Sequence, residues 1–322
     1  MARTAKPRVV AIEEHYWDPE VAVEFAPGES MRAGPLRQRL DDLGALRLKE
    51  MDEAGIDMQV LSHGAPATQR FDPETAVRLA RKANDRLHEV VRARPDRFAA
   101  FATLPTPDPK AAADELERTV TKLGFVGAMV HGLTNGVFLD DQRFWPIFER
   151  AQALDVPLYL HPAAPHPAVV EAYYKQYVPD FPNLLSAAWG YTIETATQGL
   201  RMVLSGAFET YPRLKIILGH LGEGLPFLLW RIDHALSRPG NRRIDFRETF
   251  RAHFHITTSG NFCDPALLCS VMEMGADRIL FAVDWPFVTN QPAVEWMARA
   301  PLATEDVEKI LCGNAQRLLR LK

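Results

Sequence analysis

The chain has 322 residues, 47% hydrophobic and 24% charged, with a formal net charge of −4. That length supports a large core without disulfides or a structural metal, so a metal here would serve chemistry. The signs of charge are mixed and no Lys/Arg block occurs, which excludes a nucleic-acid binder, and no apolar run approaches the length of a membrane span.

Arg3, Lys6 and Arg8 lead into Val9-Val10-Ala11-Ile12-Glu13-Glu14 rather than a long apolar stretch, so no secretory signal is expected. Short apolar runs at 9–13, 58–62, 98–103, 126–131, 157–161, 215–220, 254–259 and 279–284 read as strands buried on both faces. Helical patterns alternate with them at 46–54, 73–94, 108–123, 141–154, 189–209, 225–236, 265–275 and 304–321. The helix at 73 opens Asp72-Pro73-Glu74, which supplies an N-cap, a first-turn proline and an early acid. Eight strand–helix units in series predict an α/β fold, a (β/α)₈ TIM barrel of the metal-dependent hydrolase type, as one domain over 1–322. Two stretches are long for barrel connections, 20–43 after the first strand and 162–185 after the fifth. Such insertions serve as lids or assembly surfaces. Cys263, Cys269 and Cys312 are odd in number and lack metal-ligand spacing; they read as inert packing thiols in a reducing cytoplasm.

The ends of the strands carry the chemistry. Strand one ends in Glu13-Glu14-His15, strand five in His161, strand six in His220 and strand eight in Asp284. Barrel active sites lie at this end of the strands, so these titratable groups meet in one place. Glu13 and His15 are two apart and share a face, while Glu14 points the other way. With His161 and Asp284 they form a mixed N/O set suited to one divalent ion, Zn²⁺ or Mn²⁺, with positions left for substrate. A single strand-terminal histidine is ordinarily capped or solvated, and a lone Glu-x-His is common; the set of four argues against accident.

His220 stands between glycines in Gly219-His220-Leu221-Gly222-Glu223 and reads as an acid/base or substrate-binding imidazole, the alternative being a structural turn. Glu223 is placed to fix its tautomer, or else is a helix-terminal carboxylate. Arg231 reads either as a bidentate partner for a substrate carboxylate or as half of an ion pair such as Arg231–Asp233. His63, His131 and His166 lie in loops after strands two, four and five and are weaker pocket candidates. His88, His234, His253 and His255 receive no role. Phe287, Trp285 and Phe262 are candidates to wall an aromatic substrate, though each is also a natural core residue.

Several stretches together resemble the amidohydrolase-related branch of the amidohydrolase superfamily. They are Ile12-Glu13-Glu14-His15, Leu158-Tyr159-Leu160-His161-Pro162, Ile217-Leu218-Gly219-His220-Leu221-Gly222-Glu223, Ile256-Thr257-Thr258-Ser259-Gly260, Ile279-Leu280-Phe281-Ala282-Val283-Asp284-Trp285-Pro286-Phe287 and Gly313-Asn314-Ala315-Gln316-Arg317. Within the branch, Glu-Glu-His and Ile-Thr-Thr-Ser-Gly-Asn-Phe look most like the non-oxidative aromatic acid decarboxylases acting on γ-resorcylate, 2,3-dihydroxybenzoate and 5-carboxyvanillate. The resemblance implies that Glu13, His15, His161 and Asp284 hold the metal. It implies that His220 and Arg231 contact a small aromatic carboxylic acid, that Asp284 donates the proton to the ring, and that the enzyme is a homodimer or homotetramer. One departure stands out: those decarboxylases commonly read His-Pro-Arg after strand five, and here the run is His161-Pro162-Ala163-Ala164-Pro165-His166. That leaves a second expectation open, a metal-dependent hydrolase or hydratase acting on a lactone, an amide or a small carboxylic acid. A third is a metal-binding barrel without activity.

Overall fold

The computed structural model describes residues 7–25 and 34–321. Arg3, Lys6 and part of the 20–43 insertion lie outside them. The strands are β1 Val10–Tyr16, β2 Met58–His63, β3 in two pieces Phe98–Ala100 and Ala102–Thr103, β4 Ala128–His131, β5 Leu158–His161, β6 Ile216–Leu218, β7 Phe254–Thr257 and β8 Ile279–Leu280. Each falls on one of the eight expected runs. All neighbouring pairs are parallel.

The first half of β3 pairs with β2 and the second half with β4. The ring closes past the end of β8. Ile12 N–H donates to the Phe281 carbonyl at 3.2 Å, Asp284 N–H to the Glu13 carbonyl at 3.1 Å, and His15 N–H to the Trp285 carbonyl at 2.6 Å. These bonds join the last strand to the first and complete the (β/α)₈ barrel. They also tie Asp284 directly to the backbone that carries Glu13 and His15.

Two apolar layers hold the barrel. The inner one alternates along the strands, Val10 and Ile12, Met58 and Val60, Ala99 and Phe101, then Met129, Tyr159, Ile217 and Leu280. Period-two alternation sends these side chains inward and their neighbours toward the helices. Ala315, Leu318 and Leu319 of the helix Asn314–Leu319 join that inner cluster. The outer layer is the larger core between strands and helices.

The helices follow their sequence signals. Asp72 accepts from Thr75 N–H at 3.0 Å and Asp108 from Ala111 N–H at 3.0 Å, so Pro73–Ala93 and Pro109–Leu123 start where the caps place them. The expected helix at 189–209 is instead Gly190–Leu204 followed by Ala207–Thr210, broken at Gly206, whose φ is 85°. The last expected helix is relayed through a π turn, Lys309–Gly313, between Thr304–Glu308 and Asn314–Leu319. Among the described residues, further helices form where the pattern marks none, Gly34–Asp41, Phe246–His253 and Asn290–Ala298 among them. The 162–185 insertion holds short helical turns, Pro167–Val169, Val170–Tyr174 and Pro182–Leu185. No helix among the described residues is long and apolar enough to cross a membrane. The three cysteines are free thiols.

Candidate metal centre

Glu13, His15, His161 and Asp284 come together at the C-terminal mouth, each with a ligand atom within 4.8 Å of the others. His15 Nε2 is 3.3 Å from Asp284 Oδ1, and His161 Nε2 is 3.3 Å from Glu13 Oε1. Glu13 and His15 are wholly buried, while Asp284 keeps 15% of its side chain exposed. Glu13 Oε1, His15 Nε2 and Asp284 Oδ1 are buried polar atoms without a hydrogen-bond partner among the described residues. Orphaned atoms of this kind are rare, and three converging on one point call for a cation. The donor set of two imidazole nitrogens and two carboxylates fits one divalent ion.

The remaining atoms of the four residues are fixed from behind. His15 Nδ1 lies 3.1 Å from Ser62 Oγ, and His161 Nδ1 lies 2.7 Å from the Pro162 carbonyl. Protons on both Nδ1 atoms leave both Nε2 lone pairs aimed at the centre. Burial, reinforced by His15, holds the His161 pKa well below its usual value, which keeps the ring neutral. Glu13 Oε2 accepts from Tyr159 Oη and from Thr257 Oγ1, the latter at 3.2 Å. Thr257 Oγ1 also meets Ser259 Oγ at 2.9 Å, and Ser259 Oγ accepts from His220 N–H at 3.0 Å. A hydroxyl chain beneath the quartet therefore links Glu13 to the loop that carries His220. Burial pushes the Glu13 pKa up, the stress that a bound cation would relieve.

His220 faces the opening beside Asp284. Its Nδ1 pairs with Glu223 Oε1 at 2.8 Å, and its Nε2 is 4.0 Å from Asp284 Oδ2. Burial opposes the charged ring, but Glu223 and Glu13 outweigh it and hold the His220 pKa well above the ordinary value. Burial would raise the Asp284 pKa, yet His15 and His220 hold it below the usual carboxylate range. His220 and Glu223 sit at φ 50° and 54°, and Asp284 at 75°. Non-glycine residues there cost of order 1–3 kcal/mol each and persist only where the surroundings enforce them, commonly at functional sites. Two glycines make room. A Cβ on Gly219 would lie 3.1 Å from Glu13 Oε2, and one on Gly260, at φ +59°, would lie 3.3 Å from His220 Cδ2.

The other expected residues sort by what they touch. Phe287 packs its ring 5.6 Å from His15, beside the quartet. Trp285 is fully buried, with the Arg47 guanidinium 4.0 Å from its ring centre. Phe262 packs toward Trp296, 5.6 Å away. Arg231 lies outside the cluster, on the exposed face of Leu225–Leu236, because Leu225, Pro226 and Leu229 set the buried face of that helix. It forms no ion pair with Asp233, whose carboxylate accepts from Arg247 N–H at 3.1 Å. His63 is structural, accepting from Asp18 N–H at 3.0 Å. His166 caps a short helix through Ala168 N–H. His131 does reach the centre, with its Nδ1 3.0 Å from His161 Nδ1, because the two residues are paired in register. Tyr159, Ser62, Thr257 and Ser259 carried no role in the sequence reading. Tyr159 is two residues before His161 on one strand, and that shared face was the available signal.

The comparisons with known proteins agree with this geometry. A family model described as amidohydrolase matches residues 12–321. The chain belongs to the amidohydrolase family. It is 44% identical to a γ-resorcylate decarboxylase of Rhizobium sp. over 97% of this chain and 98% of that one. Among solved structures it resembles a 2,6-dihydroxybenzoate decarboxylase complexed with 2,6-dihydroxybenzoate, with a TM-score of 0.88, 43% identity and coverage of 98% and 100%. It also resembles a dihydroxybenzoic acid decarboxylase of Polaromonas sp. that holds manganese and the inhibitor 2-nitroresorcinol, with a TM-score of 0.89, 42% identity and 98% coverage of each chain.

Replacing Glu223 with Gln removes the largest influence raising the His220 pKa. If protonated His220 is the active form, activity falls as pH rises through that pKa. The alkaline limb of a kcat/KM–pH profile is therefore expected to move to lower pH in Glu223→Gln; an unmoved limb counts against this pairing.

Proposed function

We propose that the protein is a divalent-metal-dependent, non-oxidative decarboxylase of a 2-hydroxybenzoate, with 2,6-dihydroxybenzoate the first substrate to try. The reading is carried by the quartet of Glu13, His15, His161 and Asp284 in a chain similar over nearly its whole length to γ-resorcylate decarboxylase. The chemistry explains why such a substrate needs this site. Direct loss of CO₂ would leave an aryl anion with no electron sink. An ionised ortho hydroxyl pushes electron density onto the carboxyl-bearing carbon. A proton added there turns the ring into a dienone. The C–C bond then breaks, its electron pair restores the aromatic ring, and CO₂ departs.

Glu13, His15, His161 and Asp284 would hold a divalent ion, which would supply positive charge to stabilise the substrate's phenolate and carboxylate. Asp284 directs Oδ1 into the quartet and Oδ2 toward His220 and the opening. Oδ2 is therefore the atom that delivers the proton to the ring carbon. Against burial, His15 and His220 hold the Asp284 pKa low while Glu223 and Glu13 hold that of His220 high, so His220 is the proton reserve that reloads Asp284. Glu223 holds the imidazole in place. Phe287 lies against one face of the ring. The test is a panel of 2-hydroxybenzoates, esters, lactones and amides offered to the Mn²⁺-loaded protein. CO₂ release confined to the hydroxybenzoates supports the reading; turnover only of the esters, lactones or amides overturns it.

We further propose that the enzyme works as a homo-oligomer. Phe227 and Trp230 are 80% and 62% exposed on Leu225–Leu236, and Met272 is 86% exposed on Asp264–Met274, the helix packed beside it. Large apolar side chains exposed on two helices packed together favour self-association. Trp230→Glu combined with Met272→Glu is expected to halve the mass seen by light scattering; an unchanged mass contradicts this interface.

A further inference from the structure

We propose that Glu14 is a positioning residue of the metal centre, its carboxylate setting the place of Asp284 by clasping the backbone on either side of it. Oε1 accepts from Val283 N–H at 2.9 Å, and Oε2 accepts from Trp285 N–H at 3.3 Å. These are the peptide donors flanking Asp284, the residue at φ 75°. A side chain in that conformation needs its backbone held, and a two-oxygen acceptor spanning it does so. The inference rests on the reading that Asp284 is a metal ligand.

The clasp continues to the first strand. Gln59 Nε2 donates to Glu14 Oε2 at 3.3 Å, and Gln59 Oε1 accepts from Arg47 Nη1 at 3.1 Å. Arg47 Nη2 donates to the His15 carbonyl at 2.5 Å, and its guanidinium lies over the Trp285 ring. Glu14, Gln59 and Arg47 are all fully buried. One network thus grips the backbones of two of the four ligands from the side facing away from the ion. Glu14 receives donors on both oxygens, two peptide N–H groups and the Gln59 amide, and this geometry is what holds the backbone around Asp284. Pointing away from Glu13 and His15 is then its means of acting on the site rather than a sign that it is uninvolved.

Glu14→Gln replaces one acceptor oxygen with an amide nitrogen facing peptide donors, at nearly constant volume. Mn²⁺ affinity is read by the electron paramagnetic resonance signal of free Mn²⁺, and the fold of the metal-free protein by circular dichroism and thermal melting. The expected result is Mn²⁺ binding weaker by about 10–100-fold, the usual cost of losing an outer partner of a ligand. A merely structural Glu14 predicts a lower melting temperature with Mn²⁺ affinity within about twofold of the parent, and that result overturns the proposal. If Glu14→Gln does not fold, Gln59→Met removes one donor to the same carboxylate. Several-fold weaker Mn²⁺ binding is then expected, and unchanged binding overturns the proposal. A parent protein that takes up no Mn²⁺ sinks the metal-centre reading and this proposal together; normal binding by the parent and by Glu14→Gln sinks this proposal alone.

Discussion

Asp284→Asn is expected to lower kcat for 2,6-dihydroxybenzoate by about 10²–10⁴-fold, the loss typical when a positioned acid is removed. The substitution keeps the size of the side chain and one oxygen. That oxygen can still face His15 Nε2, now 3.3 Å from Asp284 Oδ1. The amide nitrogen takes the place of Oδ2, the atom turned toward His220. It cannot shuttle a proton at neutral pH. The effect should therefore fall on kcat, with KM changed only a few-fold, which steady-state CO₂ release separates. A variant that keeps more than a tenth of the parent rate refutes Asp284 as the donor.

His15→Ala is expected to weaken Mn²⁺ binding by more than about 100-fold, beyond the 10–100-fold cost of losing an outer partner. His15 has no other use for its Nε2, which is buried and unpartnered. Its Nδ1 is held by Ser62, and its ring packs edge-on against His161 with centroids 4.6 Å apart. Truncation deletes a ligand and loosens a second. Isothermal titration of the metal-free protein measures the change. The parent should also gain about 2.7 kcal/mol of stability at Mn²⁺ 100 times its dissociation constant, seen as a higher melting temperature that His15→Ala lacks at the same concentration. Equal affinity in parent and variant removes His15 from the centre.

Sequence pattern placed all eight strands and the four residues of the quartet because each depends on local features. Short buried runs mark strands of a parallel barrel, and the catalytic end of such a barrel is fixed by the direction of the chain. What escaped the pattern depends on partners distant in sequence. The register of β1 shifts between Ala11 and Glu14 relative to β2, an irregularity decided by pairing rather than composition. The division of β3 at Phe101 arises because its two halves pair with different neighbours. The motif around Arg231 does not reveal the phase of its helix, which turns the side chain outward and away from the quartet of its own chain. Glu14 was read correctly as facing away from the ligands. Its contacts with Val283 and Trp285 lie about 270 positions along the chain and had no local trace. The helix Asn290–Ala298 went unmarked although Thr289 and a first-turn Pro292 stand at its start.

The most direct measurement titrates Mn²⁺ into metal-free protein while following CO₂ release from carboxyl-labelled 2,6-dihydroxybenzoate. Decarboxylation by the quartet predicts no release without metal, a rise that saturates at one ion per chain, and one resorcinol formed for each CO₂. Release that is independent of metal, or one bound ion per chain with no CO₂ formed from any 2-hydroxybenzoate, contradicts it.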